Sequence, residues 1–353
     1  MEGSAFLAGL RDLDRSPNTE RTYASRTALY LSYCAAVGLD WSRITIPELK
    51  IFLHWLTEMP LPPRGRKPQL EARFRLESTA NAIVTTVCEF LRFGKGYGWV
   101  PAEVADVLSE PKYLRFLPKG MDPGEDGQHR TVMTKVVKYR ISEPGLEWLT
   151  SDQVEVLIQL AHRARDRFLL ALMGCTGIRI GEALGLRRED MHLLSDSRAL
   201  GCQISGPHIH VIRRRRNANG ALAKSRLPRS IPVTAEVVGF YAEAQFERAA
   251  VPEATDGDMV FVNLFRGVLG RAMTYSAVKD MFDRLARRAK FAARPHMIRH
   301  GVATRWIRSG VDPDVAQDLL GHVSSSSMSP YLHTTDRDKR DAVELVAARG
   351  GAR

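Results

Sequence analysis

A segment with little hydrophobic periodicity interrupts this chain between two regions that carry clear helical patterns. Residues 110–146 lose the regular apolar spacing and contain many helix-breaking residues, among them Pro111, Pro118, Gly120, Pro123, Gly124, Gly127 and Pro144. Proline removes a backbone donor and glycine favours turns, so a long helix cannot run through this stretch. A chain of 353 residues is also long for one domain. We therefore expect two domains joined by a linker over residues 111–146, in which 131–139 has strand character.

The region before the linker predicts an all-α domain over residues 16–110. Apolar residues recur there at helical spacing, and they indicate four helices. The first begins near Asn18 or Thr19, the second spans about 46–58, the third is capped by Ser78, and a short fourth follows Pro101. Residues 1–15 are compatible with a frayed arm or a short helix, and we assign them as an N-terminal arm.

The region after the linker, residues 147–353, predicts a second domain of mixed character. A capping-box pattern at Thr150 opens its first helix. Alternating apolar residues at 208–214 and 229–233 flank a turn at 217–220 and predict a β-hairpin, and 259–263 predict another short strand. Helices account for most of the remainder, including a C-terminal helix at about 338–348. The predicted fold class is therefore mainly α with a small β-sheet (α+β).

The charge of the chain points to a polyanionic partner. The net charge of +11 is large for 353 residues, and such an excess is typical of proteins that bind nucleic acid. A membrane surface is the competing partner, but neither terminus resembles a basic amphipathic anchor. No apolar run reaches the about 18 residues that a membrane-spanning helix needs. An RNA-binding module is a further alternative, although no aromatic stacking surface is visible. No signal peptide is recognisable, so we expect a cytoplasmic protein at the bacterial nucleoid.

The cysteines predict neither a disulfide nor a metal framework. The chain has four, Cys34, Cys88, Cys175 and Cys202, and they show no paired spacing. We interpret them as small core residues in a reducing compartment. No cofactor and no metal site are expected.

Two pairs of residues in the second region suit phosphate chemistry. Arg179 follows a glycine turn at the start of a helix that also carries Glu182, and a structural Arg–Glu pair is the competing interpretation. His296 and Arg299 lie one helical turn apart, so both can face one phosphate, whereas a polar helix face is the alternative. Arginine binds phosphate with two parallel hydrogen bonds. Histidine exchanges protons near neutral pH.

Two residues near the C-terminus complete this set. His322 follows Gly321 at the end of a predicted helix, where a capping histidine is the alternative. Tyr331 stands nine residues later, and a tyrosine hydroxyl can attack a phosphodiester as a nucleophile. Together with the two arginines, these residues suit cleavage of a phosphodiester through a covalent tyrosine intermediate.

The order of these motifs resembles the signature of the tyrosine recombinases, the phage integrase family. Residues 176–186 are similar to the first arginine box of the family, and residues 296–331 are similar to its second box. The helical residues 16–108 resemble its N-terminal core-binding domain. The resemblance covers most of the chain, and it implies an all-α, SAM-like core-binding domain followed by a mixed catalytic domain.

The resemblance also implies a reaction, the cleavage and rejoining of duplex DNA through a 3′-phosphotyrosyl intermediate without ATP or metal. Tyr331 would attack the phosphorus, and Arg179 and Arg299 would hold its non-bridging oxygens. His296 and His322 would assist proton transfer. Integration, excision or resolution of a mobile element is the implied process.

Further residues follow from the same resemblance. The family places a catalytic lysine in a hairpin turn between the two boxes, and Lys224 matches it as a general acid. Glu182 and His300 would support the catalytic groups. The basic residues of the predicted hairpin are expected to contact the DNA backbone, and they are Arg213, Arg214, Arg215, Arg216, Arg226 and Arg229.

The implied partner is double-stranded DNA that carries inverted-repeat core sites. The implied assembly is a dimer on one site and a tetramer in synapsis, joined through the C-terminal helix, and docking of that helix on its own domain is the alternative. Two other functions remain open. One is a sequence-specific DNA-binding protein that does not cut, and the other is a breaking-joining enzyme like a type IB topoisomerase or a telomere resolvase.

Overall fold

The protein is described here by a computed structural model that covers residues 1–13, 15–62, 72–114, 131–141, 147–214, 216–225, 227–321, 340 and 344. The chain divides into two compact units, Met1–Pro144 and Gly145–Arg353. Within the described residues, no helix combines the length and the apolar character that crossing a membrane requires.

Within its described residues, the first unit consists of helices and one antiparallel pair of short strands. Its elements are α1 Glu2–Asp12, α2 Pro17–Val37, α3 Ile46–Glu58, α4 Glu77–Gly96, α5 Ala102–Asp106, β1 Ser109–Tyr113 and β2 Thr131–Lys135. The four helices predicted between residues 16 and 110 correspond to α2 through α5.

The helix ends of this unit follow from local capping chemistry. The Ser16 hydroxyl accepts a hydrogen bond from the Thr19 backbone N–H at 3.1 Å, so α2 begins before the predicted Asn18 or Thr19. Thr45 and Glu48 form a reciprocal capping box that fixes the start of α3 where the sequence predicted it. The Ser78 cap was wrong, because Leu76 is the N-cap residue and Ser78 lies inside α4.

Residues 1–15 contain a helix that belongs to the core of the first unit. Phe6 is 3% exposed, and its ring centroid lies 5.3 Å from that of Phe90 in α4. Leu10 is buried on the same face of α1. Aromatic contacts of this kind add about 0.5–1.5 kcal/mol beyond the burial of area. Of the two alternatives, the short helix is therefore confirmed, and the frayed arm was wrong.

The described part of the predicted linker also belongs to the first unit. β1 pairs with β2 in antiparallel register, with Ser109 opposite Lys135. Val137 is buried in the helical core. The Asn81 side chain donates to the Tyr139 carbonyl at 3.0 Å and accepts from the Tyr139 N–H at 2.8 Å. These contacts fix residues 131–139 on the first unit.

The second unit is mainly helical around one small sheet. Its elements are α6 Ser151–Leu160, α7 Ala164–Thr176, α8 Ile180–Ala183, β3 Met191–His192, β4 His208–Val211, β5 Arg229–Pro232, α9 Ala235–Ala249, α10 Tyr275–Ala289, α11 Pro295–Arg308 and α12 Pro313–Leu320. The sheet order is β3-β4-β5, all antiparallel.

The core of the second unit is centred on α7. This helix is apolar on most sides, with Phe168, Leu169 and Leu172 almost fully buried, and it packs against α6, α9 and α11. The predicted fold class, mainly α with a small β-sheet, is confirmed. The short strand predicted at 259–263 was wrong, because this stretch forms only single antiparallel bridges, such as Val262 with Ala272. Of the predicted C-terminal helix, only residues 340 and 344 are described.

Candidate active site

The first arginine of the site is placed by a turn that requires glycine. Gly177 ends α7 with φ +62°, and a Cβ there would lie 3.0 Å from Leu320 and 3.1 Å from Val302. Only glycine adopts this conformation without strain and leaves room for such a close approach. The chain then reverses, and Arg179 becomes the N-cap residue of α8 with its side chain 20% exposed.

Glu182 is the buried acid that holds this arginine. One carboxylate oxygen accepts from the backbone N–H of Arg179 at 2.9 Å, and the other accepts from its guanidinium at 3.1 Å. Arg229 donates to the same carboxylate at 2.8 Å. Burial would raise the pKa of Glu182, but the charge and hydrogen bond of Arg229, followed by the contacts of Arg179, lower it below its ordinary value. Glu182 is therefore an anion between two cations.

Arg229 has a different role from the DNA contact predicted for it. Its side chain is 6% exposed, and besides Glu182 it binds the Leu319 carbonyl through Nε at 2.9 Å. A guanidinium enclosed in this way positions protein groups and has little surface left for a phosphate. The sequence reasoning missed this role because Arg229 stands among other basic residues.

Arg299 is buried beside the first arginine. It is 1% exposed on α11, and it donates to the Gly177 carbonyl at 2.7 Å and to the Leu320 carbonyl at 2.8 Å. Arg179 also donates to the Leu320 carbonyl, at 3.4 Å. The two arginines, predicted from separate motifs, thus meet at the C-terminal end of α12.

Two histidines lie at the start of α11. The rings of His296 and His300 are edge to face, with centroids 4.5 Å apart. Desolvation, and then the positive charges of Arg299, Arg179 and Lys224, lower the pKa of His296. Desolvation, followed by repulsion from His296 and Arg299, lowers the pKa of His300 to about 4. Both rings are neutral at pH 7, so His296, which is exposed, can accept a proton.

Lys224 projects from the connection between β4 and β5. It is exposed, whereas its neighbours Ala223 and Ser225 are buried. The Ser225 hydroxyl donates to the Leu227 carbonyl at 2.9 Å, which pins the segment. The positive charge of Lys224 is one of the causes that lower the pKa of His296.

Four predicted site residues lie outside the described residues: His322, Tyr331, Arg215 and Arg226. The described stretch 227–321, however, ends next to Arg229. Gly321 follows α12 with φ +63°, and a Cβ there would lie 2.5 Å from the Arg229 guanidinium. The residue after Gly321 is His322.

Of the other basic residues predicted to bind DNA, Arg214 pairs with acids of its own unit. Its guanidinium donates to both carboxylate oxygens of Asp190 and to Glu189, each at 2.8 Å. The hydrogen bond with Asp190 raises the pKa of Arg214 despite partial burial. Arg213 is partly buried, and Arg216 is exposed on the same connection.

Comparison with known proteins decides the family. The profile of the phage integrase family matches residues 147–338, which is more than half of the chain. The chain belongs to the phage integrase family. The resemblance to the tyrosine recombinases that the sequence predicted is confirmed. The protein is a tyrosine recombinase, an enzyme that cleaves and rejoins DNA in site-specific recombination.

Individual relatives agree with this assignment. Transposase A from transposon Tn554 of Staphylococcus aureus is 29% identical over 338 residues, which cover 95% of this chain and 88% of that protein. A tyrosine recombinase of Thermosipho africanus is 23% identical over 349 residues, or 97% of each chain. The solved structure of the Tn1549 transposon integrase with a circular intermediate DNA is similar in fold, with a TM-score of 0.63 over 98% of this chain and 99% of that chain at 16% identity.

Proposed function

We propose that this tyrosine recombinase integrates, excises or resolves a mobile element, and that it cleaves DNA with Tyr331 as the nucleophile. The convergence of Arg179 and Arg299 on the carbonyl of Leu320 is the observation that supports this proposal most directly. It gathers two cationic forks at the end of α12, immediately before His322. The names of the Tn554 and Tn1549 relatives support a mobile element.

The proposed reaction is a transesterification. The Tyr331 oxygen bonds to phosphorus, the bond from phosphorus to the 5′ oxygen breaks, and a 3′-phosphotyrosyl linkage remains. Arg179 and Arg299 offset the charge that grows on the non-bridging oxygens. Removing one such electrostatic contact typically slows an enzyme by about 10²–10³-fold.

Proton transfer is assigned to three groups. Lys224 is a cation on an exposed connection, and we assign it as the general acid that protonates the 5′ oxygen. His296 is neutral at pH 7 because its pKa is lowered, so it accepts the proton of the nucleophile together with His322. Religation by the 5′ hydroxyl of a partner strand runs the same steps in reverse, without ATP or a divalent metal in the chemical step.

The proposed partner is duplex DNA with inverted-repeat core sites, in the cytoplasm at the bacterial nucleoid. The net charge of +11 favours a polyanion. The first unit is proposed as the core-binding domain and the second as the catalytic domain. A dimer would occupy one site and a tetramer would form the synapse, joined by the predicted helix at 338–348. Deleting residues 338–353 should then abolish tetramers on DNA and leave binding of one protomer intact.

A plasmid recombination assay tests the function. Two copies of the joined ends of the encoding element are placed on one plasmid, and recombinant products are counted. Wild type and Tyr275→Phe should recombine the sites, because Tyr275 is an exposed residue at the start of α10. Tyr331→Phe should bind the same DNA and produce no recombinants. Relaxation of a random supercoiled plasmid without recombination would instead indicate a topoisomerase.

A further inference from the structure

Four potential metal ligands, none of them among the residues assigned to cleavage, meet beside the small sheet. They are His192 on β3, Cys202 in the connection that follows, and His208 and His210 on β4. One ligand atom from each, three imidazole nitrogens and one sulfur, lies within 4.8 Å of all the others. We propose that these side chains form a structural zinc site.

The strand pairing explains why these residues converge. His192 and His208 are direct partners across the antiparallel pair of β3 and β4. His208 and His210 are two residues apart on one strand, so their side chains lie on the same face. The connection then brings Cys202 back over this face.

The distances between donor atoms fit a tetrahedral ion. Zn–N bonds of about 2.0–2.1 Å and Zn–S bonds of about 2.3 Å place tetrahedral donors roughly 3.3–3.6 Å apart. His208 Nε2 lies 3.1 Å from His210 Nε2, and Cys202 Sγ lies 3.3 Å and 3.5 Å from these two nitrogens. His192 supplies the fourth donor, within 4.8 Å of the other three.

The outer hydrogen bonds of two histidines fix the tautomers that a metal needs. His208 Nδ1 is 2.7 Å from the Gly206 carbonyl, and His192 Nε2 is 3.2 Å from the Glu189 carbonyl. A carbonyl oxygen only accepts, so each of these nitrogens carries the proton. The lone pairs are then on His208 Nε2, which lies against Cys202 and His210, and on His192 Nδ1. Metal-binding histidines are usually oriented by such contacts.

A hydrogen-bonded polar cluster is the alternative, and one atom argues against it. His192 Nδ1 is buried and has no hydrogen-bond partner among the described residues. Buried polar atoms are rarely left in this state, and a missing ion is one common explanation. A metal ion would use this lone pair together with the other three donors.

The donor set selects the kind of ion and its role. Three imidazoles and one thiolate suit Zn²⁺, whereas Mg²⁺ and Ca²⁺ prefer oxygen ligands. The nearby carboxylate of Asp190 is occupied by Arg214 and by the Arg187 backbone N–H. With all four positions filled by protein, the ion would be structural. It would tie β3 to β4 at the base of the hairpin that carries Lys224.

Metal analysis of the purified full-length chain tests the site. Wild type from zinc-supplemented culture should hold about one zinc per chain, as four protein ligands predict. Co²⁺ added to reduced, chelator-treated protein should give visible bands of tetrahedral cobalt and a thiolate-to-cobalt charge-transfer band. Cys202→Ser should lose the charge-transfer band and bind zinc more than about 100-fold more weakly. This loss of affinity is larger than the about 10–100-fold that removing a hydrogen bond to a ligand typically causes.

The matched control is Cys175→Ser, which removes a partly buried thiol of α7 outside the cluster and should leave zinc content and cobalt spectrum unchanged. If Cys202→Ser does not fold, alkylation of the wild-type protein tests the zinc site instead. Zinc should protect Cys202 from iodoacetamide, and a chelator should expose it, as read by peptide mass spectrometry. Wild type without zinc, without cobalt bands and without protection would overturn the proposal.

Discussion

Arg179 and Arg299 donate hydrogen bonds to the same backbone carbonyl, that of Leu320, at 3.4 Å and 2.8 Å. The carbonyl closes α12, and carbonyls at a helix C-terminus attract positive charge. Arg179 is fixed from the other side by Glu182. Contacts within the protein therefore hold both guanidinium groups at the end of α12.

Glu182→Gln should destabilise the second unit strongly. It removes the negative charge between Arg179 and Arg229 and leaves two cations near each other at a buried position. Breaking one partner of a buried ion pair costs about 3–5 kcal/mol, and urea unfolding measures this loss. Asp283→Asn breaks the exposed pair with Lys279 and should cost less than about 1 kcal/mol. Equal losses for both variants would contradict the buried role of Glu182.

Arg299→Lys should slow cleavage strongly while DNA binding persists. Lysine keeps the charge but cannot donate to the carbonyls of Gly177 and Leu320 in the same geometry. We expect a cleavage rate about 10²–10³-fold lower on a defined core site. Arg305→Lys is the control, because Arg305 lies on the same helix and donates to the Gly174 carbonyl at 2.7 Å. Arg305→Lys should lower the free energy of unfolding and leave the cleavage rate unchanged. A comparable loss of cleavage rate in Arg305→Lys would contradict the role assigned to Arg299.

The stability of the chain should fall as the pH drops from about 6.5 to 4. The pKa of His300 is about 4 in the folded chain against 6.5 ordinarily, so the unfolded chain binds more protons in this window. The stability that this histidine contributes is complete above pH 6.5 and amounts to at most about 3 kcal/mol. His300→Gln should flatten the pH dependence measured by urea unfolding. His162→Gln, at an exposed position, should leave it unchanged.

Gly321→Ala should disturb the site more than Gly310→Ala. Both glycines have positive φ, +63° and +80°, so alanine is strained at each by roughly 1–2 kcal/mol. A Cβ at Gly321 would also lie 2.5 Å from the Arg229 guanidinium, whereas nothing lies within 4 Å at Gly310. Thermal unfolding should show a larger decrease in melting temperature for Gly321→Ala than for Gly310→Ala. Gly321→Ala should also cleave DNA more slowly. Identical behaviour of the two variants would show that Arg229 does not need this space.

The sequence predicted the helices well where caps and periodicity agree. α3 spans Ile46–Glu58 as predicted, because Thr45 and Glu48 mark its start locally. The apolar stretch at 259–263 was misread as a strand. Its residue Phe261 is buried in the core without a continuous ladder, and burial alone does not distinguish these cases.

The sequence predicts which residues come together where a motif marks them, and it does not where a distant partner decides what a side chain contacts. Arg179 and Arg299 were predicted from separate motifs, and they meet at the Leu320 carbonyl. The role of Arg229 depends on Glu182, 47 positions away, and no local pattern records that pairing. Cys202 was judged by its spacing from other cysteines, whereas its neighbours in space are histidines.

The central claim is that Tyr331 attacks DNA, and a suicide substrate tests it most directly. A core site from the ends of the encoding element is nicked close to the scissile phosphate, so that the 5′ hydroxyl leaves with a short fragment and religation fails. Wild type and Tyr331→Phe are incubated with it and run on a denaturing gel. The account predicts a protein–DNA adduct in wild type alone, with the nucleotide on the peptide that contains Tyr331. An adduct in Tyr331→Phe, or no adduct in a wild type that binds the site tightly, would contradict it.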